Sequence, residues 1–193
     1  MHVLKLDYFF KLLIAFVKRS TLGLCMILGS SWAPVSYSET TTDTSIEYQV
    51  KTAFIYNFIA FTKWPPGSVD RTISLCIHGE DFFGNEIDKL QSRPLGKRDI
   101  RVLRVADAAQ LIECDAVFFS KSVGKNLSAI LDGLQNRPIL TLADYPSAIS
   151  QGVAINMSLV DEKIVFEINL GIARKSGLDF SAKLLQLAVK VYQ

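Results

Sequence analysis

Four short apolar runs, each followed by a stretch too long for a hairpin turn, constrain this chain most. They are residues 72–78 (TISLCIH), 99–105 (DIRVLRV), 115–120 (DAVFFS) and 138–142 (PILTL). Each has strand length and is rich in β-branched or aromatic residues, and segments at 81–91, 106–112 and 123–134 read as helices between them. Strands joined by connections of that length run parallel, with helices packed on both sheet faces. Residues 152–159 (GVAINMSL) and 163–169 (KIVFEIN) depart from the pattern, because Val160-Asp161-Glu162 leaves no room for a crossover helix. They predict an antiparallel hairpin. The chain has no repeats and no internal linker. The expectation is therefore a single three-layer α/β domain over residues 47–193, with a mostly parallel sheet and a C-terminal antiparallel hairpin.

Helices are expected at both ends of this sheet. Residues 48–64 (YQVKTAFIYNFIAFTKW) place Val50, Phe54, Phe61 and Trp64 at helical spacing, and a second stripe runs through Ile55, Phe58 and Ile59. Pro65-Pro66-Gly67 should end that helix. Residues 145–150 read as a short helical turn. Ser181 reads as the cap of a C-terminal helix with Leu184, Leu185, Ala188 and Val191 along one face. Phe54, Tyr56, Phe58, Phe61 and Trp64 are more aromatic residues than one core stripe needs. Core packing accounts for most of them, and the remaining face is a candidate protein interface.

The first 38 residues read as a targeting segment. Lys5, Lys11, Lys18 and Arg19 form a positive n-region, residues 21–30 (TLGLCMILGS) a short apolar h-region, and Ser36 and Ser38 place small residues at −3 and −1 of a cleavage site. Neither apolar run there reaches the ~20 residues needed to span a bilayer. Cleavage near Ser38 would export the protein to the periplasm and leave a polar, flexible leader at residues 39–46 (ETTTDTSI). The balance of 21 Lys+Arg and 19 Asp+Glu, net +2, then loses four positive charges and one negative. The mature chain would carry 17 basic and 18 acidic residues, net −1, so composition gives no support for nucleic-acid binding.

Cys25 leaves with the targeting segment, and Cys76 and Cys114 remain. An even count in an oxidising compartment favours a disulfide, with two buried free thiols as the alternative. Closing a loop of that size would stabilise the fold by about 4 kcal/mol on the chain-entropy model. Two cysteines and one histidine fall short of the four ligands a structural zinc needs.

Chemistry is sparse in the mature chain. It contains no Gly-x-Ser-x-Gly, no His-Glu-x-x-His and no Walker loop. Its one histidine, His78, ends the first strand, where α/β folds place ligands, but no partner pattern orients it for catalysis. Gly79 and Gly84 lack the spacing of a dinucleotide fingerprint, and Glu80 and Asp81 would repel phosphate. Lys97, Arg98, Arg101 and Arg104 read as a charged strand face that guards a sheet edge, with a ligand contact as the alternative. Asp161 and Glu162 read as solvated turn residues. Glu167 lies between Phe166 and Ile168 and must point to the opposite face, toward solvent or a partner.

Residues 48–65 (YQVKTAFIYNFIAFTKWP), 75–84 (LCIHGEDFFG), 114–122 (CDAVFFSKS) and 164–188 (IVFEINLGIARKSGLDFSAKLLQLA) together resemble the YfiR family of periplasmic proteins. The resemblance covers nearly the whole mature domain. It implies a regulator without catalysis or cofactor, which binds the periplasmic sensor domain of an inner-membrane diguanylate cyclase and holds it inactive. An OmpA-like outer-membrane lipoprotein would relieve the repression, raising cyclic di-GMP and favouring biofilm. Family members form dimers, and small-molecule binding is proposed for some. A small-molecule-binding protein signalling to another membrane sensor is accordingly the alternative function. By the same resemblance Cys76 and Cys114 are the family's disulfide pair, and Ile155, Glu167 and Ala173 align with its repressor surface. The family's second disulfide has no counterpart, because residues 154–169 contain no cysteine.

Overall fold

The structure is a computed structural model that describes residues 40–193, with side chains from Ile46 onward. The expected targeting segment, residues 1–38, lies outside the described residues.

Helix α1 spans Thr40–Phe61. It begins within the stretch read as a flexible leader, because a helix nucleated by its packed part extends at small cost per residue. It ends three residues before Trp64. The Thr62 hydroxyl donates to the Phe58 carbonyl at 2.6 Å, and Thr62–Lys63 (β1) turns away to pair antiparallel with Asp179–Phe180 (β9).

The main sheet has eight strands. Thr72–His78 (β2), Arg98–Arg104 (β4), Ala116–Phe119 (β5) and Leu140–Ala143 (β6) are mutually parallel, as the connection lengths require. Ile155–Val160 (β7) continues parallel to β6, and Lys163–Asn169 (β8) returns antiparallel to form the expected hairpin. Two short strands close the edges. Pro94–Leu95 (β3) pairs with β4, and Lys190–Tyr192 (β10) pairs parallel with β8, so the order is β10-β8-β7-β6-β5-β2-β4-β3.

Alternation along the strands divides the core between the two faces. Ile73, Leu75, Ile77, Phe118, Leu142, Ile155 and Ile168 pack under α1, together with Leu184 of Ala182–Leu187 (α5) and Ala173 of Leu170–Lys175 (α4). Cys76, Val117, Phe119 and Ala143 pack on the other face under Leu127–Gly133 (α2) and Ala148–Gln151 (α3).

Three expected helices differ from the structure. Residues 81–91 form only a 3-10 turn at Ile87–Leu90. Asp81 Oδ1 accepts the Phe83 N–H, Gly84 takes a positive φ of 52°, and Phe83 docks edge-on against Phe118 and Tyr48, so that burial of the aromatic ring wins over helix continuation. The helix expected at 123–134 is split. A 3-10 turn at Lys121–Val123 precedes Gly124, where an added Cβ would lie 3.3 Å from the Lys121 carbonyl, and α2 starts at Leu127. At the C-terminus, Ser181 does cap α5 through the Leu184 N–H, but the helix stops at Leu187 and Val191 lies in β10. Pairing with β8 gives the backbone groups there their hydrogen-bond partners in place of another helical turn.

Candidate partner-binding face

Register sets one polar row across the sheet: Ala143, Asn156, Glu167 and Lys190 lie side by side on the face opposite α1. Glu167 is half-buried there, and Tyr192 donates its hydroxyl to Oε1 at 3.0 Å. The Lys190 ammonium sits 4.5 Å from the Tyr192 ring centroid. Lys190 is held above the ordinary lysine range by Tyr192 first and by the Glu167 charge after it. Asn156, beside Glu167 on the neighbouring strand, is 3% exposed and its Oδ1 has no partner. A carboxylate with one oxygen tied to Tyr192, next to a buried amide oxygen, is equipped to accept donors from a partner surface.

The two other residues aligned with the repressor surface are placed differently. Ile155 is 1% exposed and points into the α1 core, since it neighbours Asn156 and alternation sends it to the opposite face. Ala173 is fully buried on the inner side of α4. Both can shape the surface from below. Of the three, only Glu167 can touch a partner.

Cys76 of β2 and Cys114, just before β5, are bonded across the neighbouring parallel strands, 38 positions apart in sequence. His78 is buried. Its Nδ1 lies 2.8 Å from the Val105 carbonyl and its ring meets Phe119 edge-on, so it is a packed structural side chain. The basic cluster is partly absorbed as well. Arg104 binds Asp81 at 2.9 Å, the Gly84 carbonyl at 2.9 Å and Asp88, which ties the loop after β2 to β4. Arg101 donates to Ser74 Oγ at 3.0 Å.

The aromatic surplus of α1 is spent mostly within the chain. Phe54 and Phe58 pack against Phe166, Tyr56 donates to the Pro94 carbonyl under the Arg93 guanidinium, and Phe61 lies beneath Lys183.

Surface clefts open among the described residues. One of about 340 Å³ lies between α2, α3 and α4, and one of about 500 Å³ holds Asp70, Arg71, Arg101 and Asp115. A third, of about 320 Å³, borders the disulfide, and a groove of about 560 Å³ runs between α1 and the β7–β8 hairpin. His78 lines none of them. Among the described residues, no group of three or more His, Cys, Asp or Glu side chains could hold a metal ion.

One buried polar site escaped the sequence reading. Lys51, on α1, is 3% exposed and donates to Asp144 Oδ2 at 2.6 Å, while Tyr48 donates to the same oxygen at 3.0 Å. Glu47, one turn back on α1, completes the set around Lys51. Burial first, then Asp144, pushes the Tyr48 hydroxyl far up, and the same two causes push the neighbouring Tyr145 hydroxyl up to about 12. The signal was available in the helical spacing, because Lys51 precedes Ile55 by four and lies on the second apolar stripe.

The described residues thus form a three-layer α/β domain with an aromatic-packed helix, a disulfide and a polar row on the sheet face opposite α1. A family model described as YfiR/HmsC-like matches residues 48–189, and the chain belongs to that family. No curated protein matches the sequence. Among solved structures the chain is similar in fold to a conserved domain protein from Vibrio cholerae O1 biovar El Tor, at TM-score 0.52 and 8% identity over 75% of this chain. It spans 60% of that chain's length. It also aligns at TM-score 0.48 and 12% identity, over 75% of this chain and 60% of the other, with the ABC domain in complex with L-Trp from Streptococcus pneumonia. No helix among the described residues is long and apolar enough to cross a membrane.

Proposed function

We propose that this protein is a non-catalytic repressor which binds the periplasmic sensor domain of an inner-membrane diguanylate cyclase, with Glu167 at the contact. The observation that carries the reading is the family match over residues 48–189. Glu167 supports it, since its carboxylate lies half-buried at the Tyr192 end of a polar row that can accept hydrogen bonds from a docking surface. In this reading an OmpA-like outer-membrane lipoprotein relieves the repression by sequestering the protein, which acts as a homodimer. Repression of this kind is a population shift. Moving the cyclase from 1:99 to 99:1 in favour of its inactive form takes a difference in affinity worth ~5.5 kcal/mol between the two forms. Deleting the gene should raise cellular cyclic di-GMP, and the protein should co-purify with the cyclase. An unchanged nucleotide level with no co-purifying cyclase would refute the reading.

A further inference from the structure

The groove between α1 and the hairpin lies on the opposite side of β8 from Glu167 and is not used by the function proposed above. Ile46, Val50 and Phe54 recur every four residues along α1 and form one ridge of it. Leu159 and Ile164, directly opposite each other in the hairpin, form the facing wall. Large apolar side chains are open to water here: Ile46 is 54% exposed, Val50 38% and Leu159 54%. Clustered exposure of this kind marks interaction sites, unlike single exposed residues.

The rim supplies a sign. Asp161 and Glu162 form the turn, with φ of 47° and 60°, a left-handed pair that usually falls to Asn-Gly. Two consecutive non-glycine residues in that region are strained, both acids are exposed, and Glu162 lines the groove beside Leu159. Neither forms an ion pair among the described residues. At the groove, Glu47 is paired with Lys51, while Asp161 and Glu162 at the turn stand beside Lys163, which leaves one negative charge in excess.

We propose that this groove docks an amphipathic helix of a partner protein. The helix would lay its apolar stripe along the Ile46, Val50 and Phe54 ridge and direct lysine or arginine side chains toward Asp161 and Glu162. Helix-in-groove recognition needs such a ridge, a facing apolar wall and a charged rim. This proposal does not depend on the identity of the cyclase or on the Glu167 contact.

The test uses the mature chain and two amphipathic helical peptides with the same leucine stripe, one flanked by lysine and one by glutamate, followed by fluorescence anisotropy. The lysine peptide should bind and the glutamate peptide should not. Val50→Asp and Leu159→Asp, both at exposed positions, should each weaken binding by about tenfold or more while melting like wild type. Glu162→Lys should weaken binding and reduce its salt dependence, and Glu167→Gln should leave it unchanged. Equal binding of the two peptides, or unaltered binding by a folded Val50→Asp or Leu159→Asp protein, would overturn the proposal. So would loss of self-association in those variants without any peptide binding, which would make the groove a contact between copies of this chain.

Discussion

Lys51 and Asp144, 93 positions apart, form an ion pair in which both side chains are almost wholly buried, and it joins the middle of α1 to the carboxyl end of β6. Tyr48 supports the same carboxylate oxygen, while Asp144 Oδ1 has no partner. The pair fixes where α1 lies on the sheet, and therefore the shape of the groove beside it.

Removing one partner should be far worse than removing both. Lys51→Met leaves the buried Asp144 carboxylate with only the Tyr48 hydroxyl and no counter-charge and should cost about 3–5 kcal/mol, whereas combining it with Asp144→Leu should recover most of that loss. Urea unfolding of the two single variants and the double variant tests this. Additive losses would mean that the two side chains act independently.

The disulfide should matter chiefly through the unfolded chain. Cys76 and Cys114 enclose 38 residues of sequence separation, so replacing both by alanine should lower stability by about 4 kcal/mol. Chemical denaturation with and without a reductant provides the measurement, and reduction should move only the wild-type midpoint.

Gly79 is held by sterics as well as by conformation. Its φ is +94°, and an added Cβ would lie 2.5 Å from Ser120 Oγ and 2.6 Å from Ser122 Oγ. Ser120 is fully buried and hydrogen-bonded to Ser122, so neither hydroxyl can withdraw freely. Gly79→Ala should therefore lower the melting temperature well beyond Gly96→Ala, where φ is +64° but nothing lies within 4 Å.

Acid dependence should reveal Asp115. Burial raises its carboxyl above the usual aspartate range, opposed in part by the Ser74 N–H. A raised acid binds its proton more tightly in the folded state. Its stability contribution is thus full below the unfolded value and is lost as pH rises through the folded one. Asp115→Asn should remove that loss, so the variant should gain on wild type as pH climbs from about 3 toward 6. Denaturation across that range would reveal a constant difference if Asp115 were unperturbed.

What the sequence made legible was whatever alternation and connection length control. The four parallel strands and the hairpin fall where the apolar runs predict, since each strand buries alternate residues or both faces. Local propensity misled where tertiary contacts overrule it. Residues 81–91 carry a helical pattern, yet Phe83 is drawn onto Phe118 and Arg104 grips the loop, so only Ile87–Leu90 coils. Val191 fits a helical face, but the edge of β8 claims it as a strand. Glu167 was placed correctly from its position between Phe166 and Ile168. Its Tyr192 partner could not be foreseen, because β10 has only three residues and its pairing is long-range. The aromatic surplus illustrates the same limit. Its count was visible, while its use against Phe166, Pro94 and Lys183 depended on the fold.

Under the proposed function this chain acts by contact through the Glu167 face. The most direct measurement compares cellular cyclic di-GMP in a deletion strain complemented with wild type, Glu167→Lys or Glu167→Gln, with folding checked by melting. Wild type should restore a low level, and Glu167→Lys, which reverses the charge at a half-buried contact, should leave it high. Full repression by a well-folded Glu167→Lys protein would contradict the account.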